Sequence, residues 1–292
     1  MGLLIRCYTR DDVRILFIGD VFGKPGRRLL RERLRAFRDA NAVEVVIANG
    51  ENAAEGFGVN PQIVDELCGS GIDVVTMGDH LWDKREIATS LVTDPRLLRP
   101  SNYPEGAPGR GSTVLSAPSG LKLAVLNLQG RTFMYKQLLE DPYRHAKAAA
   151  ERLRQETPIV IVDFHAEATS EKVAMGWWLD GEVSAVIGTH THVQTADERI
   201  LPKGTAYLTD AGMTGPSEGV IGLDRERVLD RFVKQTPQQW KVADGRTQFC
   251  GALIDVDEKT GSATAISRIW EMHPAPAAPP SASPTAPAPP AL

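Results

Sequence analysis

Cysteine is scarce in this chain. Cys7, Cys68 and Cys250 are its three thiols, too few and too far apart for a disulfide framework or for zinc-knuckle spacing. A reducing compartment is therefore expected, with the cytoplasm as the default. Long apolar runs are missing too: Val43 to Ala48 already contains Glu44, whereas a membrane-crossing helix needs about 20 apolar residues. No membrane partner is expected. Arg6, Arg10, Asp11 and Asp12 interrupt any signal-peptide core near the start. Nor does one sign of charge dominate. With 33 basic and 37 acidic residues the net charge is -4, so no whole-chain field draws the protein to nucleic acid or anionic lipid. A small anionic substrate on a local cationic centre stays open.

Apolar residues make up 42% of the 292, which excludes global disorder and allows a sizeable core. Residues 13–272 alternate short β-branched runs with helical stretches, the pattern of an α/β domain with crossover helices. Val13 to Gly19, Val43 to Ala48 and Ile72 to Met77 read as strands, and Pro25 to Ala40 reads as a helix with Leu30, Leu34 and Phe37 on one stripe. Asn60 before Pro61 predicts a capped helix start, and Asp141-Pro142 another that runs to about Arg154. Asp83 with Glu86 looks like a capping box for a helix through Leu91, a reading preferred to the alternative in which Asp83 orients His80. Leu121 to Leu128, Ile159 to Asp163 and Val183 to Gly188 are further strands. Gln248 to Val256 and Ser262 to Ile269 follow with no helix between them, so the second half is expected to be partly antiparallel. Residues 273–292 hold 8 of the 20 prolines from Pro274 onward and no charge there, which predicts a disordered Pro/Ala-rich tail.

Ligand sites of wound α/β sheets lie beyond the carboxyl ends of the strands. Asp20 follows the first strand, Glu51 and Asn52 the second, and Asp79 and His80 the third. His165, His190 and His192 follow later strands, so four of the six histidines sit at strand ends beside acidic residues. Carboxylate oxygen and neutral imidazole suit manganese, iron or zinc. One metal takes three or four protein ligands, and Asp20, Glu51, Asn52, Asp79, His165, His190 and His192 are too many for it. Two metals fit better, and a metal-bridging hydroxide attacking phosphorus is the chemistry such a pair supports. His145, in a helix, and His273, beside the tail, are read as solvent-facing.

On these residues the sequence resembles the YmdB-like branch of the calcineurin-like metallophosphoesterases. The resemblance rests on Gly19-Asp20-Val21, Asn49-Gly50-Glu51-Asn52, Gly78-Asp79-His80, Asp163-Phe164-His165-Ala166-Glu167 and Gly188-Thr189-His190-Thr191-His192, and also on Gly130-Arg131-Thr132-Phe133 and Asp210-Ala211-Gly212-Met213. It covers about Val13 to Ile269. It implies a four-layer αββα sandwich of two mixed β-sheets flanked by helices, and a dinuclear phosphodiesterase with cyclic nucleotides among its substrates. Asp20, Glu51, Asn52 and His192 would hold one metal. Asp79, His165 and His190 would hold the other, with Glu51 bridging and His80 as general acid. Phe22 stands where most of the superfamily has a histidine, and the Asn52 amide would supply that contact. The branch has Asn where this chain has Asp79. That extra charge should tighten cation binding and repel an anionic ester.

The rival readings are a phosphomonoesterase and a regulatory protein that binds nucleotide and metal with little turnover. A link to RNA and a homo-oligomer stay open. Six arginines between Arg27 and Arg38 could meet RNA, although a solvated outer helix face accounts for them. Trp177 and Trp178 could stack on a base, or serve as core or subunit contacts. Glu167, Thr169 and Ser170 follow His165, as a partner for an imidazole or as helix caps.

Overall fold

The computed structural model describes residues 12–275. The chain begins with β1 (Asp12–Ile18), β2 (Asp20–Val21), α1 (Gly23–Ala40), β3 (Val45–Asn49), α2 (Pro61–Gly69), β4 (Val74–Thr76), α3 (Ile87–Thr93) and β5 (Leu97–Leu98). It continues through β6 (Ser112–Ser116), β7 (Lys122–Gln129), α4 (Pro142–Leu153), β8 (Val160–His165), α5 (Thr169–Trp178) and β9 (Ala185–Thr189). The last elements are β10 (Arg199–Ile200), β11 (Ala206–Leu208), β12 (Met213–Pro216), α6 (Arg225–Lys234), β13 (Thr247–Asp257) and β14 (Ala263–His273).

These strands form two mixed sheets. The first has the order β2, β12, β13, β1, β3, β4, β5, with β14 pairing β13, and the second has the order β10, β11, β9, β8, β7, β6. Strands β1, β3, β4 and β5 are parallel, as are β7, β8, β9 and β11; helices carry the chain back between them except from β9 to β11, where the return runs through β10. Antiparallel pairing enters through β13, which lies between β12 and β1 and carries β14 on a long hairpin.

Alternation along the strands builds the layers. On β1, Ile15 and Phe17 point into a core shared with Ile47, Ile161 and Ile187, between the two sheets. Leu16 and Ile18 point the other way, against Leu30 and Leu34 of α1 and Leu67 of α2. On the far side, Val160 and Val162 of β8 meet Ala146, Ala149 and Leu153 of α4. The result is the four-layer αββα sandwich, in which each fully buried Leu, Ile or Val is worth about 1.5–3 kcal/mol.

Two helix starts follow from their caps. Asn60 Oδ1 accepts from Ile63 N at 2.9 Å ahead of Pro61, and Asp141 Oδ1 accepts from Tyr143 N and Arg144 N at 2.9 and 3.0 Å. Other expectations are corrected. Glu86, not Asp83, precedes α3 and makes no side-chain cap, and α5 is preceded by Ala168, so neither Thr169 nor Ser170 caps it. His145 is half-buried with Nε2 2.8 Å from Ser101 Oγ, and His273 is buried at the end of β14. The α1 arginines are not simply solvated. Arg27 and Arg31 pair with Glu66 of α2, and Arg38 pairs with Asp73. Trp177 and Trp178 are exposed on α5 and so outside the core. The tail expected from 273 onward lies outside the described residues beyond 275. Among the described residues no helix is long and apolar enough to cross a membrane.

Candidate metal centre

The parallel strands of both sheets end on one side of the sandwich, and the polar residues that follow them meet there. Asp20 occupies β2, Glu51 and Asn52 follow β3, and Asp79 and His80 follow β4. From the second sheet come His165, the last residue of β8, and His190 and His192 just after β9. Asp20, Glu51 and His165 have no solvent exposure.

Donor atoms of Glu51, Asp79, His165 and His190 all lie within 4.8 Å of one another. His165 Nε2 is 3.0 Å from Glu51 Oε1, 3.3 Å from Asp79 Oδ1 and 3.0 Å from His190 Nδ1. Ligand atoms about 2.0–2.2 Å from a single ion stand apart by roughly these amounts. The outward nitrogens of the two rings are held elsewhere: His165 Nδ1 lies 2.9 Å from Thr189 Oγ1, and His190 Nε2 lies 3.0 Å from Glu167 Oε2. One nitrogen facing the cluster and the other fixed by an oxygen is the arrangement of metal-ligating imidazoles.

Beside this group, His192 Nδ1 lies 3.1 Å from Ile221 O, and a carbonyl only accepts, so Nδ1 carries the proton and Nε2 a lone pair. Asn52 Nδ2 donates to Gly56 O at 3.0 Å, which turns Oδ1 inward, 3.2 Å from His192 Nε2. Two acceptors therefore face each other. A cation satisfies both, and it also satisfies Asp20 Oδ1, which is buried with no hydrogen-bond partner, and the buried Glu51 Oε1 beside the His165 ring. The residues fit a metal centre.

Electrostatics agree. Burial pushes the Asp20 carboxyl up to about 8 against the pull of His165, and Asp210 and Glu51 add repulsion. Burial opposes charge on Glu51 and Asp79 as well, but the His165 ring beside Glu51, and the His165 and His190 rings beside Asp79, hold both below the ordinary carboxylate values. Burial alone would lower His165; Glu51 and Asp79 reverse that and raise it well above its usual value. His192 is lowered, chiefly by burial, and stays a neutral donor. Proton and cation compete for the His165 lone pair, so metal binding releases that proton.

The loop from His190 to His192 is strained. Both histidines have positive φ, 102° and 65°, which costs about 1–3 kcal/mol for a non-glycine residue. Asp210 holds the loop: Oδ2 accepts from Thr191 N and Oγ1 at 3.2 and 2.7 Å and from the buried Lys172 Nζ at 2.6 Å. Behind His165, Asp163 accepts from Thr189 Oγ1 at 2.7 Å, from Asn49 Nδ2 at 3.0 Å and from Thr76 Oγ1. A Cβ on Gly78 would collide with the His165 ring and the Glu51 carboxylate, so that glycine is required by close approach.

His80 lines the cavity of about 280 Å³ over the centre, with Glu51, Asn52, His190 and His192. Its Nδ1 lies 2.6 Å from Asp83 Oδ2, and Phe57 packs edge-on against the ring at 5.3 Å. Asp83 thus orients His80, where the sequence pattern suggested a cap. Lys136 was not legible at all. Its Nζ sits 2.9 Å from Asp79 Oδ2 and 2.9 Å from His80 Nδ1, while the next residue, Gln137, donates to Asp79 O at 2.8 Å. The additional carboxylate of Asp79 therefore has a counter-charge. Phe22 packs edge-on against His192 at 5.6 Å.

A two-sheet αββα sandwich with carboxylates and imidazoles converging at its strand ends defines a protein of the metallophosphoesterase superfamily. Residues 16–269 match the family of YmdB-like proteins, and the chain belongs to that family. It is 51% identical over 257 residues to a 2',3'-cyclic-nucleotide 2'-phosphodiesterase of Bacillus subtilis (strain 168), covering 88% of this chain and 96% of the relative. A crystal structure of a hypothetical protein from Thermus thermophilus superposes with a TM-score of 0.82 at 41% identity, over 90% of this chain and 100% of that one. A phosphatase from Mycoplasma pneumoniae gives 0.85 at 32% identity, over 92% of this chain and 96% of its own.

Proposed function

We propose that this chain is a metal-dependent phosphodiesterase that opens 2',3'-cyclic nucleotides. The observation that carries the reading is the inward-facing set of lone pairs, with His192 Nε2 opposite Asn52 Oδ1 and His165 Nε2 among Glu51, Asp79 and His190. Two ions account for it, iron or manganese ahead of zinc. Asp20, Glu51, Asn52 and His192 would hold one and Asp79, His165 and His190 the other, with Glu51 shared. When bound, such a pair supplies an ionised water and neutralises phosphoryl oxygens.

The protein's own groups do the rest. Glu167 and Thr189 keep the rings of His190 and His165 in register, and Asp210 pins the strained loop that presents His190 and His192. Asp83 fixes the His80 ring at the mouth, where His80 gives a proton to the departing sugar oxygen. The water oxygen bonds to phosphorus, the bond from phosphorus to O2' breaks, and the proton goes to O2', leaving a nucleoside 3'-phosphate. The two described cysteines are free thiols, in keeping with a cytoplasmic enzyme. Since Arg27, Arg31 and Arg38 are spent on acidic partners within the chain, that face lends no support to an RNA link.

Elemental analysis of the purified protein, paired with a screen of cyclic diesters, linear diesters and monoesters under several metals, tests the reading. Bound transition metal and preferred turnover of 2',3'-cyclic nucleotides are expected. Preference for a monoester with the same leaving group would replace the reading by a phosphomonoesterase. Stoichiometric nucleotide binding without hydrolysis would replace it by a regulatory protein.

A further inference from the structure

Next to the centre is a second cavity, of about 400 Å³, that the proposed reaction does not use. His192 and Ile221 line both cavities, so the two are neighbours across a shared wall. Two other cavities, one around Arg131 and Tyr143 and one around Arg28 and His273, share no lining residue with the centre. One wall of the cavity beside the centre is formed by the hairpin of β13 and β14, and the rest by residues 192–194 and 213–222. Arg268 and Trp270 stand two residues apart on β14 and so share a face, while Ile269 between them turns into the core. Trp270 lies opposite Cys250 in the ladder, and Cys250 and Met213 form buried apolar lining.

The lips are apolar yet exposed. Val193, Ile221 and Trp270 keep 64%, 49% and 65% of their surface in solvent. Gln248 adds a polar group, its amide nitrogen donating to Met213 O at 3.1 Å. An aromatic face with apolar neighbours and a few polar side chains is the composition of a small-molecule site rather than of ordinary surface. In a 2',3'-cyclic nucleotide one sugar ring separates the phosphate from the base. A phosphate over the metal centre therefore sends the base into an adjoining space.

We propose that this cavity is the nucleobase subsite, with Trp270 as its stacking platform and Val193 and Ile221 as its apolar rim. The inference rests on the phosphodiesterase reading. Stacking accepts every base because each has a π-face, so the subsite selects nucleosides over base-free diesters more than one base over another.

The test compares kcat/KM for 2',3'-cyclic AMP with kcat/KM for a base-free five-membered cyclic phosphate, in the native metal-loaded enzyme and in Trp270→Ala and Trp270→Phe. Trp270→Ala is expected to lower the ratio roughly tenfold through KM for the nucleotide, and Trp270→Phe to keep most of it. Each ratio is taken on one preparation, so differences in folded or loaded fraction cancel. An unchanged ratio in Trp270→Ala, with both substrates still cleaved, overturns the subsite and leaves the phosphodiesterase reading standing. If native enzyme cleaves neither substrate, that reading falls and the subsite with it.

Discussion

The two sheets bring different chemistry to the same place. The first supplies oxygen: Asp20, Glu51, Asn52 and Asp79 all follow its parallel strands. The second supplies nitrogen, from His165, His190 and His192. They are also held differently. Carboxylates of the first sheet are fixed by burial and crowding, with Asp20 Oδ1 left unpartnered. Two imidazoles of the second sheet are braced from behind, by Thr189 and Glu167. One half concentrates carboxylates and the other presents ring nitrogens, so the mixed donor set exists only where the two meet. Packing of the inter-sheet core is what creates the binding site.

Removing one donor from either half should break the comparison most strongly. Glu51→Gln and His165→Ala are each expected to abolish turnover and stoichiometric metal, read by elemental analysis. If either variant keeps both metal and activity, the two halves are not equal partners. His80→Ala comes next, with an expected loss of roughly 10²–10⁴ in kcat on a poor leaving group and a much smaller loss on an activated one, because it removes only proton donation. Full retention on the poor leaving group would place His80 outside the chemistry.

The bracing of the imidazole half can be tested separately. Glu167→Gln and Thr189→Val should each weaken metal binding by roughly 10- to 100-fold in calorimetric titrations, since each loosens a ring rather than removing it. An equal effect on a variant already lacking the corresponding ring would show a merely structural role. Smallest is the charge balance of the oxygen half. Lys136→Met should tighten cation binding by about tenfold, Asp79→Asn should loosen it by a similar factor, and the double variant should return near the native value. Additive changes that leave the double variant far from native would separate Lys136 from Asp79.

How much of this was legible depended on how local the signal is. The caps at Asn60 and Asp141 were readable because donor and acceptor lie within three residues. The β-branched runs behind β1, β3 and β8 were readable because both faces of those strands are buried. Strand ends then exposed the donor residues in the sequence, though not their distances. Asp83 misled because the capping pattern is equally local, while the partner that wins it, His80, is defined by the whole site. Lys136 carries no motif, and its contact with Asp79 spans 57 positions. Strands β10 to β12 are two to four residues long and exist through pairing with distant neighbours, which no short window shows. Gly78 stood inside a recognisable motif, but the reason for it, the His165 ring against its backbone, belongs to packing.

Strand β1 is flanked by β3 on one edge and by β13 on the other, and Arg14 reaches Asp255 across 241 positions. A ribosome therefore delivers the partner of that edge roughly 240 residues late, about 12–48 s at ordinary elongation rates. Until then the segment bearing Asp20 has an unzipped border. The inner edge of the earliest strand is thus closed by one of the last strands described, and the sheet that carries Asp20 is complete only when both ends of the domain have met.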